Sequence, residues 1–288
     1  MNPEKVVIIG AGPAGMAAAI QLKRYGIPFV LLEKERVGGL LWNANLVENY
    51  PGFPVGVSGP KLVGLIERQI ERVGVEVTFD SVVRLHYNKA GFRIETLQTE
   101  YHPRYVVVAS GTKPLSFPLT IPTAVQNLVF SDVYHLLSES NKRIIVIGGG
   151  DAAFDYALNL TKNRNSVTIL NRGGDVKCLG LLWERAMAEP AIEYRAESPL
   201  NSVCLDEAAG RLRVQIEAGE SFEADYLLFA TGRVPQLDFL ADGFVEQRIE
   251  NLYFVGDVKN GLFRQAAIAA GDGLRAAMEI YHKLKLEE

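Results

Sequence analysis

Two stretches of the chain carry the same pattern of apolar and small residues. VVIIG at 6–10 and IIVIG at 144–148 are short apolar runs closed by glycine. Each leads into a small-residue turn, then apolar positions at helical spacing, then a second apolar run, FVLLE at 29–33 and VTIL at 167–170. This order predicts strand, turn, helix and strand twice over. At a constant offset of 138 residues, segments 6–34 and 144–172 align without a gap: Gly10 falls on Gly148, Gly12 on Gly150, Gly15 on Ala153, Leu22 on Leu160 and Leu32 on Leu170. A second repeated phrase follows each copy. YVVVASGTKP at 105–114 matches YLLFATGRVP at 226–235, an apolar strand running into A-[ST]-G-x-x-P. Before these phrases, alternating segments at about 75–101 and 192–223 predict a β-meander in each half. LYFVGDV at 252–258 predicts a strand ending in Gly256-Asp257, and AAIAAGDGLRAAMEIYHKL at 266–284 starts the last helix, with its positive end placed near 271. A proline ends each repeated strand phrase and the pattern changes after it, which marks the crossings between halves. The prediction is an α/β fold of two Rossmann-like dinucleotide-binding domains, each with a β-meander, the second inserted in the first. The first domain would comprise 1–113 and 241–288, the second 114–240.

Composition narrows the partners. A chain of 288 residues with 48% hydrophobic and 22% charged residues has room for about two soluble domains. The net charge of -4 offers no basic field for nucleic acid. No apolar run approaches the roughly 18 residues of a membrane span, and VVIIG is too short, with Glu4 before it, for a signal peptide. A cytoplasmic protein without a membrane partner is expected. Cys178 and Cys204, the only cysteines, stand 26 residues apart, which fits neither a C-x-x-C redox pair nor a metal knuckle. The four histidines are isolated, so no metal site is assigned.

The repeated turns carry the candidate chemistry. The first glycine permits a tight turn, the second lets the backbone approach a pyrophosphate, and the third small residue brings helix close to strand. Free amides at the helix start then hold phosphate, assisted by the helix dipole. The candidates are Gly10, Gly12, Pro13, Ala14 and Gly15 in the first turn, and Gly148, Gly150, Asp151 and Ala152 in the second. The strand ends Ala109 and Gly111, and Thr231 and Gly232, join them.

Several longer phrases point to one family: GAGPAGMAAAIQLKRYG at 10–26, GGLLWNANLVENYPGFP at 38–54, SGPKL at 58–62, GGGDAAFDYALNL at 148–160 and VGDVKNGLFRQAAIAAGDG at 255–273. With them the chain resembles the low-molecular-weight thioredoxin reductases and the ferredoxin-NADP reductases that share their fold. The resemblance implies FAD on the first domain, a nicotinamide nucleotide on the second, and a homodimer. It implies that Glu33, with Lys34 beside it, meets the adenosine ribose of FAD, that Gly38, Gly39, Leu40 and Asn45 lie along the flavin, that Asp257 takes a ribityl hydroxyl, and that Arg264, Gln265 and Ala266 approach the ring. At the offset of the duplication Asn171 replaces Glu33 and Arg172 follows. Losing a carboxylate and gaining a guanidinium suits a 2′-phosphate, so NADPH is favoured over NADH.

One departure changes the chemistry. Where thioredoxin reductases carry a C-x-x-C followed by an Asp, this chain reads VFSDVYHLLSESNK at 129–142. Thiol-disulfide exchange needs a thiolate to attack, so the usual relay is missing. No catalytic side chain is assigned, and the flavin itself would meet a small redox protein such as ferredoxin or flavodoxin, or a quinone. Two alternatives stay open: a flavoprotein reduced by a ferredoxin-like donor with a vestigial nicotinamide site, and an FAD-binding sensor or scaffold that does not turn over.

Overall fold

The computed structural model describes residues 5–117, 119–241, 244 and 249–287. In chain order it begins with β1 (Val6–Ile9), α1 (Pro13–Arg24), β2 (Phe29–Glu33), α2 (Gly59–Arg72) and β3 (Val77–Phe79). A meander follows, β4 (Val82–Asn88), β5 (Gly91–Thr96) and β6 (Glu100–Tyr101), then β7 (Tyr105–Val108) and β8 (Thr112–Pro114). The second half runs β9 (Val129–Phe130), β10 (Arg143–Ile147), α3 (Asp151–Thr161), β11 (Ser166–Leu170), α4 (Gly180–Met187) and β12 (Ile192–Arg195). Its meander is β13 (Leu200–Asp206), β14 (Arg211–Ile216) and β15 (Ser221–Ala224), followed by β16 (Tyr226–Phe229) and β17 (Arg233–Pro235). The chain closes with β18 (Leu252–Phe254) and α5 (Ala266–Leu286).

The chain divides into two compact units: unit 1 is Met1–Trp42, Val47–Lys113 and Val234–Glu288, and unit 2 is Asn43–Leu46 and Pro114–Arg233. Each unit holds a five-stranded parallel sheet, in the order β18-β7-β1-β2-β3 in unit 1 and β12-β11-β10-β16-β9 in unit 2. The sheets are covered on both faces, and successive strand residues serve opposite faces. In β1, Val6 and Ile8 face the helical core with Met16 and Leu22, while Val7 and Ile9 face the meander core with Leu85 and Ile94. In β10, Ile144 and Val146 join Phe154 and Leu160 of α3, and Ile145 and Ile147 join Val203 and Val214 of the meander. The apolar runs of the duplication are therefore buried on both sides.

Four details differ from the sequence reading. Residues 234–240 belong to unit 1, because Gln236 N donates to Gly111 O at 3.0 Å and Leu85 N to Phe239 O at 2.8 Å. Positions 242–243 and 245–248, near the anticipated boundary at 240, lie outside the described residues. Segments 77–79 and 192–195, assigned by pattern to the meanders, are instead edge strands of the parallel sheets. The strand at 252 ends at Phe254, and a 3-10 turn, Gly256–Val258, follows it. The last helix starts at Ala266, the first residue of the phrase assigned to it, so its positive end lies there and not near 271.

Candidate functional site

In unit 1 the strands are parallel, so their C-terminal ends, Ile9, Glu33, Val108 and Phe254, share one edge of the sheet. Ligands of such sheets lie beyond that edge. The turn from Gly10 leaves it with φ +104°, and a Cβ at Gly10 would lie 2.5 Å from Ala109 O, so only glycine fits. A Cβ at Gly15 would come within 1.8 Å of Gly10 O, which presses α1 onto the turn. Gly12, by contrast, has open space where its Cβ would be. It is the N-cap of α1 and no side chain caps the helix, so the first-turn amides beside Pro13 and Ala14 are left for a ligand. Gly39, in the 3-10 turn Gly39–Asn43, approaches from the other side, its Cβ position 3.4 Å from Gly12 Cα. An open glycine cradle at an uncapped helix start fits a pyrophosphate.

The other unit 1 candidates gather around this edge. Glu33 is buried, and its Oε2 accepts from Ala11 N at 2.8 Å while Oε1 accepts from Glu35 N at 3.0 Å. Lys34 beside it is exposed. Gly38 N donates to Ala11 O at 2.8 Å, and Leu40 follows in the 3-10 turn. Gly111, at φ +66°, follows Ala109 and accepts from Gln236 N. Asp257 is half-buried in the 3-10 turn after Gly256, whose N donates to Asp272 Oδ2 at 3.1 Å. Gln265 is the N-cap of α5 and Ala266 its first residue, with Arg264 half-buried before them. The positive end of α5 is thus at Ala266, five residues ahead of the position read from the sequence.

Unit 2 repeats the turn with changes. Gly148 has φ +153°, and its Cβ would meet Ala230 O at 2.6 Å. Gly150 caps α3, again without a side-chain cap, while Asp151 Oδ1 accepts from Leu179 N at 2.8 Å. Ala152 is exposed on the first turn of α3, and Thr231 and Gly232 are exposed after β16. Asn171 is buried, and Arg172 is exposed beside it. Lys177 N donates to Gly149 O at 2.8 Å, tying the loop after β11 to the turn.

Asn45 belongs to unit 2, where its N donates to Asp155 Oδ2 at 2.9 Å and its Oδ1 accepts from Lys162 Nζ. Asn43 joins it: Nδ2 donates to Asp132 Oδ1 at 2.8 Å, and Arg233 donates to the same oxygen at 2.8 Å. Burial pushes the Asp155 carboxyl up to about 6, against the opposing pull of the Asn45 amide and Lys162. Burial also raises the Tyr156 phenol to about 12, with Asp132 adding to the shift.

Sequence reasoning missed Asp155, Asp132, Asn43, Asn49 and Asp272. Asn49 Nδ2 donates to Gln265 Oε1 at 2.8 Å, and Asp272 also accepts from Asn260 at 2.8 Å and pairs with Lys259 at 3.1 Å. Their only sequence signal is membership of longer phrases: Asn43 and Asn49 in GGLLWNANLVENYPGFP, Asp132 in VFSDVYHLLSESNK, Asp155 in FDYALNL and Asp272 in VKNGLFRQAAIAAGDG. Both cysteines are free; burial raises the Cys178 thiol, the opposite of an activated thiolate, and Cys204 is exposed on β13. Among the described residues no three His, Cys, Asp or Glu side chains are grouped to hold a metal, and no helix is long and apolar enough to cross a membrane.

Comparison with known proteins places the fold in a family. The profile of the pyridine nucleotide-disulphide oxidoreductases matches residues 4–273. A thioredoxin reductase of Streptomyces coelicolor is 30% identical over 295 residues, covering 95% of this chain and 92% of that protein. The crystal structure of Lactococcus lactis thioredoxin reductase superposes with a TM-score of 0.85 at 28% identity, over 99% of this chain and 100% of the other. The thioredoxin reductase of T. acidophilum gives a TM-score of 0.83 at 27% identity, over 97% and 98% of the two chains.

Proposed function

We propose, from the premise that this chain belongs to the pyridine nucleotide-disulphide oxidoreductase family, that it moves electrons between NAD(P)H and a small redox partner through FAD, without an enzyme dithiol. The observation that carries this reading is the pair of glycine turns, one in each unit, each ending in a helix start that no side chain caps. Unit 1 would hold FAD: Gly10, Gly12 and Gly15 admit the pyrophosphate, Glu33 borders the ribose, and the segments at Gly38–Leu40, Asp257 and Arg264–Ala266 border the flavin. Unit 2 would hold the nicotinamide nucleotide at Gly148–Ala152, with Arg172 favouring NADPH. Bound FAD would supply hydride and single-electron chemistry; the protein supplies binding, orientation and electrostatics.

The acceptor follows from what the chain lacks. Two cysteines 26 residues apart, one with a raised thiol, offer no relay to a disulfide. Ferredoxin, flavodoxin or a quinone fits a flavin that meets its acceptor directly, and a cytoplasmic homodimer is the form we propose. The test is anaerobic mixing of the yellow, flavin-loaded protein with NADPH or NADH while following flavin absorbance. Fast bleaching is the expected result. Bleaching by a low-potential ferredoxin-like donor alone would reverse the proposed direction, and bleaching by neither would leave a flavin-binding sensor.

A further inference from the structure

In unit 2 the residue after the second strand, Asn171, lacks the carboxylate of its counterpart Glu33 in unit 1. The Asn171 side chain is committed: Nδ2 donates to Asp175 O and to the Tyr194 hydroxyl, each at 3.0 Å, and Oδ1 accepts from Gly173 N at 3.4 Å. Its amide also fills the space beside Gly149, where a Cβ would come within 2.6 Å. A ribose hydroxyl arriving at this strand end would meet a neutral amide turned toward its own loop, not a carboxylate.

The missing carboxylate stands one strand over. β12 pairs with β11 as far as Leu170 and Arg195, and Glu197 follows two residues later. Neighbouring strands lie about 4.8 Å apart, so Glu197 leaves the sheet beside the end of β11. Its backbone is held in the left-handed region at φ 48°, which a glutamate adopts far less readily than the asparagines that share this conformation at 141 and 251. Glu197 N donates to Gly173 O at 3.1 Å, and its Oε1 lies 3.5 Å from where a Cβ of Gly174 would be. Nothing lies within 4 Å of a Cβ on Gly173. An exposed carboxylate is thereby carried over the Gly173-Gly174 segment that follows Arg172 in the chain.

We propose that Glu197 is a specificity-determining residue for the adenosine end of the nicotinamide nucleotide, accepting ribose hydroxyls in place of the acid that position 171 lacks. The inference rests on the placement of that nucleotide in unit 2. It also sets a limit on selectivity. Arg172 attracts a 2′-phosphate, Glu197 repels it, and the two effects oppose each other across the same glycines.

The probes are 5′-AMP and adenosine 2′,5′-bisphosphate, which differ only in the 2′-phosphate, titrated by calorimetry into flavin-loaded parent, Glu197→Gln and Arg172→Ala proteins. The parent should bind the two within about tenfold of each other, and Glu197→Gln should shift the ratio toward the bisphosphate about three- to tenfold, the range for screened charges at an exposed site. Part of that shift should come from weaker 5′-AMP binding. Arg172→Ala should move the ratio the other way. A ratio unchanged by Glu197→Gln while the parent binds both probes would overturn the role of Glu197 alone. Binding of neither probe to the parent would overturn the nucleotide site in unit 2 as well.

Discussion

Glu33 and Asn171 hold equivalent places after equivalent strands, and their different chemistry shows how single residues separate the two halves. The Glu33 carboxylate holds the first turn through Ala11 N, while the Asn171 amide is turned toward its own loop. At Gly12 the open space is what the proposed pyrophosphate site uses. Gly12→Val should fold, since nothing stands within 4 Å of its Cβ position, yet lose the approach of a pyrophosphate. The purified variant should be colourless, and a full flavin complement measured by absorbance would refute the assignment of this turn. Asp155 makes a prediction of the opposite kind, about stability. Its carboxyl is raised to about 6, above its unfolded value, so its contribution is fully favourable below pH ~4 and is lost as pH rises through about 6. A shift of this size corresponds to about 2–3 kcal/mol between those limits. Asp155→Asn, which keeps an oxygen for Asn45 N, should gain stability at pH 7.5 relative to the parent and little at pH 4. Urea unfolding at the two pH values checks this, and equal gains at both would assign the effect to something other than titration.

At the scale of elements, the contact of α5 with α1 depends on one glycine. A Cβ on Gly273 would come within 2.0 Å of Ala14 O, a backbone atom that cannot turn aside. Gly273→Leu should cost about 3 kcal/mol or more, the upper range for overpacking. Gly271, two residues earlier on the same helix, has open space instead, and Gly271→Ala should stabilise by about 0.5–1 kcal/mol. Urea midpoints of the two variants should move in opposite directions; a tolerated Gly273→Leu would mean the helices do not meet as described. The same contrast explains what was legible in the sequence. The double-sided runs VVII and IIVI, and the glycines after them, are local signals, so the central strands and both turns could be read directly. The edge strands Val77–Phe79 and Ile192–Arg195 could not, because an edge strand is less covered and mimics the alternation of a meander. The positive end of α5 was displaced because Gln265 is a weak capping signal and the small polar stretch at Gly271–Gly273 looks like a turn. The Asn45 bond to Asp155 is illegible for a different reason: the two residues are 110 positions apart, and no local pattern reports such a contact.

At the scale of the whole molecule, a duplicated fold has kept two nucleotide-type turns, while the chain has no dithiol at the place where its resemblance to thioredoxin reductases would put one. The two sulfurs present do not substitute for it. Cys178 lies after β11 with its thiol raised by burial, and Cys204 is exposed on a meander strand, so neither stands near the end of β9 in the chain. Exchange with a protein disulfide requires an attacking thiolate, whereas a flavin can deliver electrons to a one-electron or hydride acceptor without one. A Cys178→Ser, Cys204→Ser double variant should therefore keep NAD(P)H-dependent reduction of ferredoxin, flavodoxin or a soluble quinone within about twofold of the parent, because surface or half-buried substitutions of this size perturb stability little. Reduction of thioredoxin should be negligible in both proteins. Steady-state rates with each acceptor, alongside flavin content and circular dichroism, separate the outcomes. A double variant that is folded and yellow but inactive toward every acceptor would show that the cysteines take part in electron transfer, and with it the proposal of direct delivery from the flavin would fail.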